Sequence, residues 1–79
     1  MQLKVQYFAL MREQAGRSEE TLKSSAANAG ALYQELRSRY PFTLSPDQLK
    51  VAINGEFSDW SRGLADGDSV VFIPPVAGG

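Results

Sequence analysis

One apolar stripe limits what this chain can fold into more than any other feature. Ala29, Leu32, Tyr33, Leu36 and Tyr40 fall at i, i+3, i+4, i+7 and i+11, one face of one helix. The spacing predicts a helix that starts after Asn28, whose side-chain oxygen can accept a backbone N–H of the first turn, and that Pro41 stops. Glu35 and Arg39 stand four apart in the favourable order for an ion pair. Gly30 is out of character, costing about 1 kcal/mol relative to alanine inside a helix, and its first-turn position makes it tolerable. A lone stripe must be buried against something that is not a helix.

The flanking segments supply that surface. Leu3, Val5 and Tyr7 alternate with Gln2, Lys4, Gln6 and Phe8, the period of a half-buried strand. Residues 9–15 suit a short helical turn ended by Gly16, and 19–24 a second strand around Thr21 and Leu22. Leu49, Val51 and Ile53 alternate with Lys50, Ala52 and Asn54, and Asn54-Gly55 then fits a type I′ hairpin turn. Phe57 falls on a short return strand, Trp60 and Leu64 cover the core, and Asp66-Gly67-Asp68 turns the chain into a last strand over 69–73. Strand, strand, helix, strand, short strand, strand is an α+β order. It predicts a mixed sheet packed on one main helix, the β-grasp arrangement of ubiquitin-like proteins. With 79 residues there is room for one such domain, spanning 1–79, with 74–79 as a flexible tail.

Absent residue types narrow the chemistry. The chain has no Cys and no His, hence no thiolate nucleophile, no imidazole base and no usual zinc or iron site. Asp66 and Asp68 are read as turn residues, their loop being too short for a calcium site, so no metal is expected. A net charge of −1 argues against nucleic acid as the partner. No apolar run nears the ~20 residues of a membrane span, and the expected location is cytoplasmic. The charge is uneven. Residues 1–40 hold six Lys/Arg against four acids, residues 41–79 two against five. Glu56, Asp59, Asp66 and Asp68 lie in the half that ends in the tail, which leaves a solvated surface or an acidic face steering towards a basic partner.

The tail reads Pro74-Pro75-Val76-Ala77-Gly78-Gly79. Prolines donate no ladder hydrogen bonds, so this pair should release the chain from the sheet edge and hold it extended. Six near-extended residues reach roughly 20 Å. Gly78 and Gly79 carry no side chains, so the end can enter a channel too narrow for any Cβ, with the Gly79 carboxylate unobstructed.

Residues 64–79, from Leu64-Ala65-Asp66-Gly67 to Pro74-Pro75-Val76-Ala77-Gly78-Gly79, closely resemble the end of molybdopterin synthase small subunits, the ubiquitin-like sulfur carriers of molybdenum cofactor biosynthesis. The first strand running into Phe8-Ala9-Leu10-Met11-Arg12-Glu13 is similar to theirs, as are the length and the helix position. The resemblance implies that an adenylyltransferase related to ubiquitin-activating enzymes uses ATP to convert the Gly79 carboxylate to an acyl-adenylate. A sulfurtransferase then supplies the sulfur of a thiocarboxylate. The tail enters a large catalytic subunit, where that sulfur attacks cyclic pyranopterin monophosphate. Gly79 is then the reactive position and Gly78 the slender segment behind it. No cofactor would be bound, ATP being consumed by the activating partner, and the chain would not be catalytic alone. An installed terminal sulfur would also answer a composition without thiol or imidazole.

The same resemblance aligns Phe8, Phe57 and Ile73 with positions that pack on the large subunit, Pro74, Pro75 and Val76 continuing the contact. The pleat agrees in part: Val70 and Phe72 should face the helix, which turns Val71 and Ile73 outward. Three rivals share the fold, one of them a plain β-grasp binding domain with an inert tail. A sulfur carrier for thiazole or sulfur amino acid synthesis would also end in Gly-Gly, although thiazole carriers are usually shorter and lack Pro-Pro. A ubiquitin-like conjugation module would join its tail to lysines.

Overall fold

A computed structural model of the chain describes residues 1–75. Its elements run β1 (Gln2–Tyr7), α1 (Ala9–Ala15), β2 (Glu19–Lys23), α2 (Ala29–Arg37), β3 (Lys50–Ile53), β4 (Glu56–Ser58) and β5 (Ser69–Ile73), with a 3-10 turn at Pro46–Gln48 before β3. The five strands form one sheet in the order β2-β1-β5-β3-β4. β1 pairs parallel with β5, and every other pair is antiparallel. The mixed sheet and single long helix are the arrangement that the lone stripe predicts.

Leu3, Val5, Tyr7, Val70 and Phe72 all point to the same side of the sheet and are buried against Ala29, Leu32, Tyr33 and Leu36 of α2. Six of the eight aromatic residues gather there: Tyr7, Tyr33, Tyr40, Phe42, Trp60 and Phe72, with neighbouring ring centroids 5.2–6.5 Å apart. Trp60 and Leu64 pack on this core from its rim, as their spacing suggested. The other two aromatics, Phe8 and Phe57, stand outside it and are exposed.

The helix start follows the cap chemistry. Asn28 Oδ1 accepts the Ala31 N–H at 2.8 Å. Two more first-turn donors go to the loop before β5: Gly30 N–H to the Trp60 carbonyl (2.8 Å) and Ala29 N–H to the Arg62 carbonyl (3.1 Å). Gly30 is glycine for this reason. A Cβ there would come within 3.3 Å of the Trp60 carbonyl oxygen, so the loop would have to draw back by a few tenths of an ångström and lengthen that bond. The helix ends at Arg37, four residues before Pro41, which corrects the predicted stop. Ser38 donates its hydroxyl to the Glu35 carbonyl and caps α2, while the Tyr40 N–H still bonds the Leu36 carbonyl at 2.9 Å. Tyr40 thus continues the stripe from a turn beyond the helix.

Asn54 and Gly55 both have positive φ, 53° and 85°, the backbone of a type I′ hairpin. Asn54 also binds the next turn, its amide donating to Asp68 Oδ1 at 2.9 Å. One further correction concerns the tail. β5 is the middle strand of the sheet, so Pro74 and Pro75 release the chain from between two neighbours and not from an edge.

Candidate functional site

The first strand leaves the sheet through a strained residue. Tyr7 is the last residue of β1, and Phe8 (φ −121°, ψ 152°) caps α1 with its carbonyl, which accepts the Met11 N–H at 3.0 Å. Ala9 then adopts φ 48°, the left-handed region that costs an ordinary residue of order 1 kcal/mol. This reversal lets Met11 and Ala15 turn into the core while Phe8 stays 49% exposed on the outside.

Tyr7 pairs with Phe72 across the parallel ladder, so Phe8 lies beside Ile73 at the point where both strands end. Pro74 and Pro75 follow. Together with Ala9, Leu10 and Leu44 these residues line an almost wholly apolar groove of ≈ 500 Å³. Four of the residues singled out in the sequence, Phe8, Ile73, Pro74 and Pro75, therefore share one surface at the root of the tail. Val76, Gly78 and Gly79 lie outside the described residues.

Leu10 and Leu44 belong to the groove although nothing in their spacing marked them. Leu44 comes from an irregular segment that two contacts fix in place. The buried Tyr33 hydroxyl donates to the Leu44 carbonyl at 2.7 Å, and Gln14 of α1 exchanges hydrogen bonds with Thr43, donating to its Oγ1 at 2.9 Å. The only advance signal was a lone leucine between Pro41 and Pro46 that fits no strand or helix period.

Phe57 is not in the groove. In the register Phe57↔Ala52↔Val71↔Gln6 it lies three strands from β1, on the same outer face as Ile73, and is 74% exposed. Ala52 between Phe57 and Val71 is buried yet stands apart from the core cluster. An apolar row thus crosses the outer face from Phe57 to Val71, with Ile73 and the groove next to it.

The two acids of the last turn fall away from this surface. Asp66 and Asp68 sit where the chain enters β5, roughly 13 Å from its exit at ~3.3 Å per residue. There Asp66 accepts the Gln2 N–H at 2.7 Å, and Asp68 accepts the Ala65 N–H and the Asn54 amide. The Ala65 N–H first, and the Asn54 amide second, hold the Asp68 carboxyl below the usual range. Of the acids in that half of the sequence, Asp66 and Asp68 therefore lie at the opposite end of β5 from the root of the tail. On the helix side, Glu20 accepts the hydroxyls of Tyr7 (2.6 Å) and Tyr40 (2.8 Å), with Arg17 3.4 Å away. Burial, then the bond to Glu20, pushes both tyrosine pKa values up.

Comparison with known proteins decides the family. A ThiS family model matches residues 5–79. The chain belongs to that family. Within it, the molybdopterin synthase sulfur carrier subunit of Chlamydomonas reinhardtii is 37% identical over 83 residues, covering all of both chains. That of Escherichia coli K12 is 32% identical over 80 residues, covering 98% of this chain and 99% of the relative. Among solved structures, SAMP1 from Haloferax volcanii superposes with a TM-score of 0.84 at 26% identity, each chain wholly covered. The ThiS family match and these sulfur-carrier relatives agree with the resemblance in residues 64–79. The fold is ubiquitin-like β-grasp. No helix among the described residues is long and apolar enough to cross a membrane.

Proposed function

We propose that this chain is the sulfur-carrying subunit of a molybdopterin synthase, working through the carboxylate of Gly79. The observation that carries the reading is the apolar groove of Phe8, Leu10, Leu44 and Ile73 at the root of the tail, in a chain matched along its whole length by sulfur carrier subunits. A protein that receives residue 79 must pass over Pro74 and Pro75, and so over this groove. Buried apolar contact there holds the body while the tail is used.

The chemistry follows from what a carboxylate lacks. Ionised at neutral pH, it is a poor acyl donor. An adenylyltransferase partner removes that obstacle by joining the Gly79 carboxylate to AMP with loss of pyrophosphate from ATP. Sulfur from a sulfurtransferase then displaces AMP and leaves a thiocarboxylate. In the large catalytic subunit that sulfur is the nucleophile towards cyclic pyranopterin monophosphate, which explains how a chain with neither Cys nor His can deliver a sulfur nucleophile. Gly78 keeps the approach narrow.

Co-expression with the activating partners should raise the intact mass by about 16 Da, one oxygen exchanged for sulfur, and deletion of Gly79 should abolish the gain without altering the melting temperature. A mass gain that persists in the deletion overturns the assignment. The likeness to SAMP1, a small archaeal modifier protein, favours a second reading in which the activated tail is joined to lysines. Tail-derived Gly-Gly remnants on lysines after proteolysis would select it.

A further inference from the structure

The outer face is basic in a chain whose net charge is negative. Alternation places Lys4, Lys23 and Lys50 there against Glu19 alone. Lys4 is already paired with Glu19 at 3.6 Å, and Lys23 lies at the far edge of the sheet on β2. Lys50 is different. It is the cross-strand partner of Ile73, so it stands next to the groove, and it is exposed. No ion pair among the described residues involves it.

Lys50 also lines a second hollow, of ≈ 680 Å³, with Val51, Phe57, Ser58, Asp59, Ser61 and Arg62. Arg62 Nη1 donates to Ser58 Oγ at 3.0 Å, and neither Arg62 nor Asp59 forms an ion pair among the described residues. The Arg62 charge is the weakest of the influences on Asp68. Two cations therefore face one acid around an exposed phenylalanine. The backbone beneath them is fixed, because Trp60 and Arg62 carbonyls hold the first turn of α2.

We propose that this hollow is a second docking point for the subunit that receives the tail, and that it takes a carboxylate side chain of that subunit between Lys50 and Arg62. The inference rests on the function proposed above. Its occupant follows from continuity and charge: Ile73 joins Lys50 to the groove, Phe57 joins the apolar row to the hollow, and the excess cations want an anion. A protein seated on the groove extends over Lys50. Apolar contact then supplies the hold, while the carboxylate sets register and speeds encounter.

The test uses the full chain and its molybdopterin synthase large subunit, with association rates and Kd measured at 50 and 300 mM NaCl. Lys50→Glu should weaken binding about 10-fold or more at low salt, chiefly through a slower on-rate, and flatten the salt dependence. Arg62→Glu should do the same, Lys50→Gln should give a smaller loss, and Lys23→Glu should stay within about twofold. Unchanged affinity in Lys50→Glu and Arg62→Glu, with wild type binding normally, overturns the docking point but not the sulfur-carrier reading. Equal losses in Lys23→Glu overturn it too, since they would show a general field and no local contact. A wild type that does not bind removes the sulfur-carrier reading and this inference with it.

Discussion

The two faces of one sheet are built from the same five strands and have opposite fates. On the inner face Leu3, Val5, Tyr7, Val51, Ile53, Val70 and Phe72 are each at most 2% exposed. On the outer face the alternate residues of those strands include Lys4, Lys50, Val71, Ile73, Ala52 and Phe57, a mixture that is neither a core nor a fully solvated surface. The cause is arithmetic. A chain with one long helix can cover one face, and the apolar residues of the other contribute little to its own stability. They are suited to contact with another protein.

That contrast is most open to attack at neighbouring residues of β5. Phe72→Ala on the inner face should cost about 3–5 kcal/mol, enough to threaten a domain of this size, measured by urea unfolding. A loss below about 1 kcal/mol would mean that the aromatic stack is not the keystone its contacts suggest. One residue on, Ile73→Asp should leave the melting temperature within a few degrees yet weaken binding of the large subunit by about 2 kcal/mol, near 30-fold by calorimetry. Unfolding of the Ile73→Asp variant would show that the two faces are not separable.

The smallest expected effect sharpens the comparison through pH. Tyr7 and Tyr40 have folded-state pKa values raised by burial and by their bonds to Glu20. A group raised in this way stabilises the fold fully below its unfolded pKa, near 10 for tyrosine, and that contribution is lost as pH climbs towards the folded value. Urea stability should therefore hold from pH 7 to 9 and decline above about pH 10, less steeply in Tyr7→Phe. Equal decline in wild type and variant would assign the alkaline loss to other groups.

What could be read in advance was whatever has a period or a fixed local chemistry. Alternation marked β1 and β3, turn signals placed β4 and β5, and the pleat put Val71 and Ile73 outside. Asn28 announced the start of α2 and Asn54-Gly55 the hairpin. What escaped depends on residues brought together by the fold. The stop of α2 was misplaced because Pro41 can end a helix only where one still runs, and the Ser38 cap ends it first. Leu44 joins the groove because Tyr33 and Gln14 hold an aperiodic loop, and no window along the chain contains those partners. The strained Ala9 had no signature beyond its small size. The acids looked clustered near the tail because they are close in sequence, yet β5 carries Asp66 and Asp68 to its opposite end.

The central position of β5 has a mechanical consequence. The strand that leads into Pro74 is flanked along its length by hydrogen bonds, parallel to β1 on one side and antiparallel to β3 on the other. A pull on the tail runs along both ladders and loads their bonds together in shear, whereas an edge strand pulled outward would peel away one bond at a time. A partner can therefore draw the tail taut, or extract itself from it, without unravelling the domain that carries it.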